Sequence, residues 1–363
     1  MIDAHVHFWR PERGDYGWLT PDLAPLYRDF TPEDLAPLMA AAGVTGVIAV
    51  QAAPAEAETR YLFELARSHS CIAGVIGWVD LASPDAADRI ETLVRDGGGL
   101  LKGVRPMLQD LPDIDWVAQP ELDRGFDALV AHDLAFDALV KVAHLPALAE
   151  RLRRTPALRT VIDHGAKPDI AGGGFEAWRD ALAPFAAMPM VHCKLSGLLT
   201  EAAPGTPIDR YVAWLLDAFG PDRLVWGSDW PVLTLAGDYA GWHAQARRLV
   251  PHAAVFGANA ERFYRLDSSE PLLVLDAGDN VGVALRLIRA GERIAPGVVA
   301  RSDIAFGFKI ALAEIAAGEK VVKYGVPIGS ATGAIAAGER VHLENMKSDY
   351  TATHGREPRG ETA

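Results

Sequence analysis

The chain begins with the stretch Met1-Ile-Asp-Ala-His-Val-His-Phe-Trp9, and the interpretation of the whole sequence depends on it. Its apolar residues alternate with polar ones, which is the pattern of a buried β-strand whose successive side chains point to opposite sides. Asp3, His5 and His7 are then expected to share one side of the strand. Two histidines at i and i+2 can direct their imidazoles at one point, as a pair of metal ligands does. An isolated His-x-His also fits two unrelated histidines, so the rest of the chain must decide.

From this strand to about Leu266, apolar strand-like runs alternate with amphipathic, helix-sized segments. The first helix is expected to begin at Thr31-Pro-Glu-Asp34 and to end at Gly43, because a Thr cap, an early proline and early acids mark a helix start. The further predicted strands are Val44–Val50, Ile72–Val79, Leu100–Arg105, Leu134–Val140, Leu158–Ile162, Met190–Leu195 and Leu224–Trp226. The clearest predicted helices are Asp85–Val94, Leu122–His132, Pro146–Arg154, Phe175–Ala187 and Ile208–Phe219.

Eight such units in roughly 260 residues predict an α/β fold, a (β/α)8 TIM barrel whose parallel strands are covered by helices. The alternative is an open, doubly wound sheet. No Gly-x-Gly-x-x-Gly follows a predicted strand, so no dinucleotide site supports that alternative.

The composition is that of a soluble, well-packed protein, with 50% hydrophobic and 23% charged residues. A length of 363 residues predicts two domains. The formal net charge of −13 argues against nucleic acid and anionic membranes as partners. Cys71 and Cys193 lie in apolar runs and are interpreted as buried thiols, which fits a reducing compartment. No leader and no apolar run of transmembrane length is recognised, so a cytoplasmic location is expected.

In such a barrel the active site lies at the C-terminal ends of the strands. The polar residues at the predicted ends are His5, His7, Arg105, His144, Asp163, His164, Lys194, Ser196, Ser228 and Asp229. Histidines and aspartates from strands far apart in sequence therefore meet on one rim, which is typical of a metal-assisted or acid–base site.

Several of these residues have the chemistry of metal ligands. His5, His7 and His164 could hold a divalent ion such as zinc, with His144 or Asp229 as a further ligand. The ion would polarise a carbonyl or lower the pKa of a bound water. Asp229 is also placed to take the proton of an attacking water.

Other residues are expected to contact the substrate. Arg105 suits an anionic or hydroxyl-rich substrate, and Lys194 would assist it. Trp9 and Trp230 flank the predicted ligands and would form apolar walls. His144 has a second interpretation, because a loop histidine just before a predicted helix can merely cap that helix.

Five motifs are spread over this part of the chain. They are Asp3-Ala-His-Val-His-Phe-Trp9, Gly103-Val-Arg-Pro106, Asp163-His-Gly-Ala-Lys-Pro168, Lys194-Leu-Ser-Gly197 and Gly227-Ser-Asp-Trp-Pro231. Together they resemble the amidohydrolase superfamily, and within it the sugar-lactone hydrolases that open L-fucono- and L-rhamnono-lactones. The resemblance implies a lactone substrate, with His5, His7, His164 and Asp229 in the central roles. Some relatives in this branch act without a metal and use histidines and arginines directly on the carbonyl.

After Leu266 the pattern changes to short strands separated by glycine turns. Residues 267–271 are predicted to be a linker, residues 272–346 a small, mostly β domain, and residues 347–363 a disordered tail. Only Ile310–Ala317 has a helix-like pattern. The strand candidates are Leu272–Leu275, Gly282–Leu285, Val298–Ala300, Lys320–Tyr324 and Arg340–Leu343.

This second segment carries the motifs Asp279-Asn-Val281, Lys323-Tyr-Gly325, Ile328-Gly-Ser-Ala-Thr332 and Gly338-Glu-Arg-Val-His342. They resemble the SAF-type small domain or subunit of altronate and galactarate dehydratases. That family commonly has histidine where this chain has Phe308, and often where it has Glu344. The resemblance therefore implies docking or substrate capping here, with the large dehydratase subunit as a separate partner protein.

The leading expectation is hydrolysis of a sugar-acid lactone to the aldonate, a carboxylic ester hydrolysis in carbohydrate catabolism, with a second domain that docks or assists a dehydratase. One alternative is a non-hydrolytic, metal-dependent decarboxylase. Another is a subunit of a sugar-acid dehydratase, a lyase, whose barrel is auxiliary. The sequence leaves open the sugar, the ring size, the need for a metal and the oligomeric state, a homo-oligomer included.

Overall fold

The structure, a computed structural model, describes residues 1–266, 272–285, 288, 290–295, 297–305 and 307–349. The chain divides into two compact units, Met1–Leu266 and Asp267–Ala363, and each is described by itself. The predicted linker at 267–271 lies outside the described residues, as does the greater part of the predicted tail.

The first unit is built on one parallel sheet of eight strands in sequential order. The strands are β1 (Ile2–Val6), β2 (Gly46–Val50), β3 (Ile72–Gly77), β4 (Leu101–Val104), β5 (Ala135–Ala138), β6 (Thr160–Ile162), β7 (Val191–Leu195) and β8 (Leu224–Trp226). A parallel bridge between Val6 and Trp230 joins the two ends of the sheet, and the His7 amide donates to the Trp230 carbonyl at 2.8 Å. The predicted TIM barrel is therefore confirmed, and the open sheet is wrong.

Helices follow the strands as the sequence predicts. They are α1 (Pro32–Ala42), α2 (Glu56–Ser68), α3 (Ala86–Gly97), α4 (Asp123–Ala131), α5 (Leu145–Arg154), α6 (Phe175–Ala186), α7 (Asp209–Phe219), α8 (Tyr239–Leu249) and α9 (Ala258–Phe263). The start of α1 is as predicted, because the Asp34 carboxylate accepts from the Thr31 amide at 2.9 Å. Gly43 ends it in the left-handed region, at a φ of 67°.

The alternation predicted for β1 fails at Asp3. The register of β1 against β2 shifts between Asp3 and Val6. As a result, Asp3 accepts from Tyr239 at the start of α8 at 3.0 Å and from the Ser228 amide at 2.8 Å. His5 instead contacts the charged groups described below, so Asp3 does not share its side of the strand. Burial raises the pKa of Asp3 to about 6.

The two cysteines differ in their burial. Cys193 on β7 is fully buried, as predicted, whereas Cys71 just before β3 is half-buried.

The second unit consists of short strands in three antiparallel sheets, which confirms the predicted small β domain. The strands are β9 (Leu272–Leu273), β10 (Val281–Ala284), β11 (Arg293–Ala295), β12 (Val298–Val299), β13 (Lys309–Ala311), β14 (Lys320–Lys323), β15 (Val326–Ala331), β16 (Arg340–Val341) and β17 (Met346–Lys347). Lys347 pairs with Ser330, so the predicted disorder is wrong for this first residue of the tail.

The helix predicted at Ile310–Ala317 is wrong. This segment starts in β13, and Ile315 then bridges Ile335, with both backbone N–H···O bonds at 2.9 Å. The Glu319 carboxylate accepts from the Ala316 amide and closes the next turn. A short apolar run does not distinguish a strand from a helix by periodicity alone, and here pairing with distant strands decides.

Candidate active site and metal centre

His5, His7 and Asp229 converge where β1 and β8 meet. The Nε2 atoms of the two histidines lie 3.2 Å apart. Oδ1 of Asp229 lies 3.6 Å from Nε2 of His5 and 3.4 Å from Nε2 of His7. All three side chains are almost completely buried. The ends of two strands far apart in sequence thus place two imidazoles and one carboxylate around a single point.

The loops that carry His164 and Asp229 have unusual backbone conformations. His164 has a φ of 53° and Asp229 a φ of 61°, which few residues other than glycine adopt. Two glycines leave room for the rings beside them. A Cβ on Gly197 would lie 2.5 Å from Nδ1 of His164, and one on Gly227 would lie 2.6 Å from Cβ of His5. Any larger residue at Gly197 or Gly227 would therefore collide with a histidine of the site, which explains the glycine in each of these two motifs.

The tautomer of His7 is fixed by the main chain. Its Nδ1 lies 2.8 Å from the Val50 carbonyl oxygen, which can only accept, so Nδ1 carries the proton. Burial lowers the pKa of His7 and keeps the ring neutral. The lone pair of Nε2 therefore faces His5 and Asp229.

His5 is held in the opposite way. Lys194 Nζ lies 3.0 Å from its Nδ1, and an ammonium group can only donate. Burial first, and then the charge of Lys194, lower the pKa of His5 well below its ordinary value. Arg105 lies 3.4 Å from Nε2, so both ring nitrogens of His5 face cationic donors.

Beside His5 lies a buried network of four residues, of which the sequence predicted Asp163 and Lys194 at the site but not Asp137 and Tyr264. Lys194 Nζ donates to Asp137 Oδ2 at 2.5 Å and lies 3.0 Å from Asp163 Oδ1. Tyr264 donates to the same oxygen of Asp137 at 2.8 Å. Burial raises the pKa of Asp137 to about 6. A carboxylate inside a predicted buried strand was the available signal for Asp137, whereas no pattern singles out Tyr264.

Arg105 lies against the same centre. Its guanidinium is 3.4 Å from Nε2 of His5 and 3.6 Å from Asp163 Oδ2. Gln51 holds it in place, because Arg105 donates to the Gln51 carbonyl and the Gln51 amide donates to the Arg105 carbonyl. Gln51 was missed from sequence, since its partner is the backbone of another strand end.

A cleft of about 220 Å³ opens over this centre. It is lined by His7, Trp18, Ala52, Arg105, Met107, Gln109, Asp110, Leu139, His164, Lys167, Asp229 and Val232. Four of the predicted catalytic or ligand residues are thus on the cleft, namely His7, Arg105, His164 and Asp229.

The four residues predicted to bind substrate do not line this cleft. Trp9 is fully buried and donates to the Leu26 and Arg28 carbonyls, and Trp230 packs on other aromatic rings. Lys194 is buried, with Asp137 and His5 as hydrogen-bond partners and Asp163 as a further ion-pair partner.

The last of the four, His144, accepts at Nδ1 from the Lys141 amide at 3.2 Å in a short turn before α5, and its side chain makes no capping bond to α5 itself. Trp18 takes the position predicted for Trp9, with its indole held by the Ala52 carbonyl at 2.7 Å. The packing of the long loop after β1 decides which tryptophan reaches the cleft, and position relative to the strand does not reveal it.

The electrostatics favour an ionised Asp229. Burial alone would raise the pKa of Asp229, but the neighbouring His164 and His7 outweigh it and hold the pKa below its ordinary value. Burial lowers the pKa of His164 to about 4, and its Nδ1 lies 2.9 Å from Ser196 Oγ. At neutral pH the cleft thus presents the Asp229 carboxylate, two neutral imidazoles and the Arg105 guanidinium, with Asp110 and Lys167 also on its lining.

The residues of the centre fit a divalent ion in type and spacing. Two groups of ligand atoms lie within 4.8 Å of one another: His5, His7 and Asp229, and His5, Asp163 and His164. Zinc bonds of about 2.0–2.1 Å in a tetrahedron place ligand atoms about 3.3 Å apart, close to the separations of the first group. An ion there would be held by a lone pair from each neutral imidazole and by the Asp229 carboxylate.

Among the residues that the structure describes, no helix has the length and apolar character needed to cross a membrane.

Comparisons with known proteins agree with this geometry. Residues 2–266 match the amidohydrolase family. An L-fucono-1,5-lactonase of Burkholderia ambifaria is 52% identical over 279 residues, which cover 73% of this chain and 96% of that enzyme. The crystal structure of a Burkholderia multivorans amidohydrolase with bound zinc is 38% identical and superimposes with a TM-score of 0.70, over 73% of this chain and 99% of that one.

The second unit has a separate relationship. Residues 270–349 match the altronate/galactarate dehydratase SAF domain. Altronate dehydratase of Escherichia coli is 44% identical over 80 residues, which cover 21% of this chain and 16% of that enzyme. Both resemblances seen in the sequence are confirmed. With a family match over the whole barrel and a relative above half identity, this chain belongs to the amidohydrolase family of hydrolases.

Proposed function

We propose that the barrel hydrolyses a sugar-acid lactone to the aldonate, with L-fucono-1,5-lactone as the first substrate to test. The observation that carries this proposal is the pairing of an ionised Asp229 with the Arg105 guanidinium on one cleft, between neutral histidines. The name of the relative that is 52% identical supports the choice of substrate.

In this mechanism a water molecule attacks the lactone carbonyl carbon, and Asp229 accepts one of its protons. The guanidinium of Arg105 stabilises the negative charge on the carbonyl oxygen. The bond to the ring oxygen then breaks, and the proton passes from Asp229 to that oxygen. His164 is neutral and anchored through Nδ1 to Ser196, which leaves Nε2 for the water or the substrate.

Removal of the Asp229 carboxylate tests the proposed base. Asp229→Asn keeps the size of the side chain but not its basicity, so kcat on L-fucono-1,5-lactone should fall by roughly 10² or more. Acid release in a weakly buffered dye assay measures it, with L-rhamnonolactone as a second substrate. A variant that opens the lactones at the wild-type rate would remove Asp229 from the mechanism.

A divalent ion, zinc first and manganese as a substitute, is proposed to bind His5, His7 and Asp229, with His164 close by. When bound, it would polarise the lactone carbonyl or lower the pKa of a water. About one ion per chain is expected by elemental analysis of protein purified without chelator.

His5→Ala should lose this ion. The matched change His69→Ala should keep it, because His69 follows the C-terminal end of α2 and does not line the cleft. Full activity in a metal-free preparation would instead mean that the histidines act on the substrate directly.

A second candidate function belongs to residues 272–349. We propose that this unit docks a sugar-acid dehydratase large subunit, and two observations support this. The segment matched in the Escherichia coli dehydratase is 16% of that enzyme. Where the family commonly has histidines, the Phe308 ring packs edge to face with His342, and Glu344 pairs with Arg340, so neither position offers a free acid–base group.

A further inference from the structure

A second cavity, of about 190 Å³, lies at the opposite end of the barrel from the cleft. Its lining residues precede strands rather than follow them, because Arg159 stands directly before β6 and Met190 directly before β7. Arg262 on α9 and Arg265 in the turn after α9 also line it. We call it the arginine cavity. None of its lining residues belongs to the proposed active site.

Positive charge outweighs negative charge around the arginine cavity. Within the described part of the chain, the one carboxylate at ion-pair distance from its three arginines is that of Asp133. Asp133 lies 3.1 Å from Nε of Arg159 and 2.9 Å from Nε of Arg265, and Arg262 has no carboxylate so close. This local excess occurs in a protein whose formal net charge is −13. A cluster of cations at a concave surface attracts anions.

The three arginines differ in how many of their donors the protein itself uses. The nitrogens of Arg159 donate to the Asp133 carboxylate, the Asp133 carbonyl and the Phe263 carbonyl. Among the described residues, Arg262 donates only from Nη2, to Asn259 Oδ1 at 2.6 Å, and Arg265 pairs through Nε. A guanidinium group has five N–H donors in a planar fork. Arg262 and Arg265 therefore keep donors for a further acceptor, whereas Arg159 is held by the protein.

His192 adds a neutral ring to this cluster. It is the second residue of β7, lines the cavity and packs on Phe263 with ring centroids 4.6 Å apart. Burial, followed by the charges of Arg223, Arg262 and Arg159, lowers the pKa of His192 to about 4. Its Nδ1 is buried and has no hydrogen-bond partner in the described part of the chain. A buried polar atom of this kind is costly to leave unsatisfied, and an oxyanion beside the ring can accept from it.

A purely structural arginine has a different set of bonds. Arg223, whose charge also acts on His192, is an example in the same region. It donates to main-chain carbonyls, those of Ala186, Met188 and Val191. The described residues supply no such carbonyl acceptors to Arg262 or Arg265. Tying the barrel together therefore does not account for these two side chains.

We propose that the arginine cavity binds a small oxyanion, a carboxylate or phosphate group, through the remaining donors of Arg262 and Arg265 with His192 beside them. Planar guanidinium groups match the paired oxygens of both anions. The volume of about 190 Å³ is below the range of about 300–1,000 Å³ that is common for drug-sized ligands, so the ligand is small. Met190 and Phe263 give the cavity apolar walls, which favours an organic acid with a short carbon chain.

The experiment titrates the full-length protein, labelled with ¹⁵N in its histidine rings, with succinate and, separately, with inorganic phosphate. Sodium chloride keeps the ionic strength constant, so that general screening stays equal. The His192 signals are assigned by their loss in His192→Gln. Arg262→Gln and Arg265→Gln each remove one guanidinium. Arg248→Gln is the matched control, because Arg248 is an exposed arginine on α8 that pairs with Asp209 at 3.7 Å and does not line the cavity.

Succinate, phosphate or both should shift the His192 ring signals saturably, and the lower Kd identifies which of the two groups the cavity prefers. Arg262→Gln and Arg265→Gln should each raise this Kd about tenfold or more, because each removes hydrogen bonds to a charged group. Arg248→Gln should leave it unchanged. If one of the two cavity variants does not fold, the other carries the test.

The absence of a saturable shift with either anion up to about 20 mM overturns the inference. So does a shift that sodium chloride alone reproduces, or a Kd in Arg262→Gln and Arg265→Gln equal to that in Arg248→Gln. None of these measurements involves turnover. A protein that opens no lactone would therefore refute the proposed function and leave this inference standing.

Discussion

His5 on β1 and His7 directly after it are separated by one residue, yet their partners differ. The Val50 carbonyl places the proton of His7 on Nδ1, whereas both ring nitrogens of His5 face cationic groups, Lys194 at Nδ1 and Arg105 at Nε2. Both rings are buried and neutral, so each can serve as a hydrogen-bond partner or a metal ligand without bringing a charge. A single contact to the backbone or to another side chain thus gives these two histidines different hydrogen-bonding partners.

The pH dependence of activity follows at the same scale. Catalysis as proposed needs neutral His164 and ionised Asp229, and the pKa of His164 is about 4 while that of Asp229 lies below its ordinary value. Both groups are in the required form at neutral pH. As the pH falls through about 4, His164 takes up a proton and kcat/KM should fall, with no loss from these groups between pH 6 and 8.

A profile of kcat/KM from pH 4 to 8.5, corrected for spontaneous lactone opening, measures this dependence. His69→Gln is a suitable control, because His69 pairs with Glu33 at the end of α2, outside the cleft. An inflection between pH 6 and 7 that persists in the control would contradict the assignment of a neutral His164.

Among the elements, the loops after β6, β7 and β8 determine the geometry of the site more than the strands do. His164 and Asp229 sit on tight turns with positive φ, and neighbouring glycines leave the space that their surroundings need. The Asp229 amide donates to the His5 carbonyl at 2.8 Å, so the loop after β8 extends the pairing with β1. The strands bring the site residues close together, and the turns determine the orientation of the His164 and Asp229 side chains.

Gly197→Ala tests this arrangement of loops. The added Cβ would lie 2.5 Å from Nδ1 of His164, which is too close, so the ring must move. The hydrogen bond between this Nδ1 and Ser196 would then be lost. Activity should fall at least tenfold because His164 loses its position. Stability should also fall, by about 1–2 kcal/mol from the left-handed backbone alone.

Gly205→Ala separates these two effects. Gly205 has a φ of 81° like Gly197 at 66°, but open space where the Cβ would lie. It should lose a similar part of the stability, measured by urea unfolding, and keep its activity. Equal activity in the two variants would show that the contact with His164 does not matter.

At the scale of the whole molecule, catalysis and docking are assigned to separate units. The residues of the proposed site all belong to Met1–Leu266, and Tyr264 is close to the end of that unit. The second unit has its own two buried apolar clusters, around Ile310 and around Val321, as an independently folded part requires.

A truncated chain ending at Leu266 should therefore keep kcat on the lactone within twofold, because it retains Tyr264 and the entire cleft. Circular dichroism checks that the barrel is folded. A folded but inactive barrel would place the second unit in the active site and would contradict the docking proposal.

The full-length chain should bind a purified sugar-acid dehydratase large subunit, and the truncated chain should not. Surface plasmon resonance with both forms measures this difference. Tethering of the two steps would raise the local concentration of the lactonase product at its consumer. Equal binding by both forms, or by neither, contradicts the docking role.

Much of the barrel was readable from sequence, because strands buried on both faces and amphipathic helices leave local periodic patterns. The predicted bounds of β8 match the observed ones, and those of α6 differ by one residue. In the second unit, Ile310–Ala317 was misread, because strands of two to six residues carry too little periodicity and depend on distant partners.

For the site, the sequence by itself determined which reactive side chains stand at strand ends, including His7, Arg105, His164 and Asp229. Only the tertiary structure decided what each one does. It turned Asp3 towards α8 through a shift in register and removed Lys194 from the substrate by surrounding it with acceptors. It also brought Tyr264 beneath the site. Strand-end position is a local property, whereas tautomer, charge and access depend on neighbours that the chain supplies from far away.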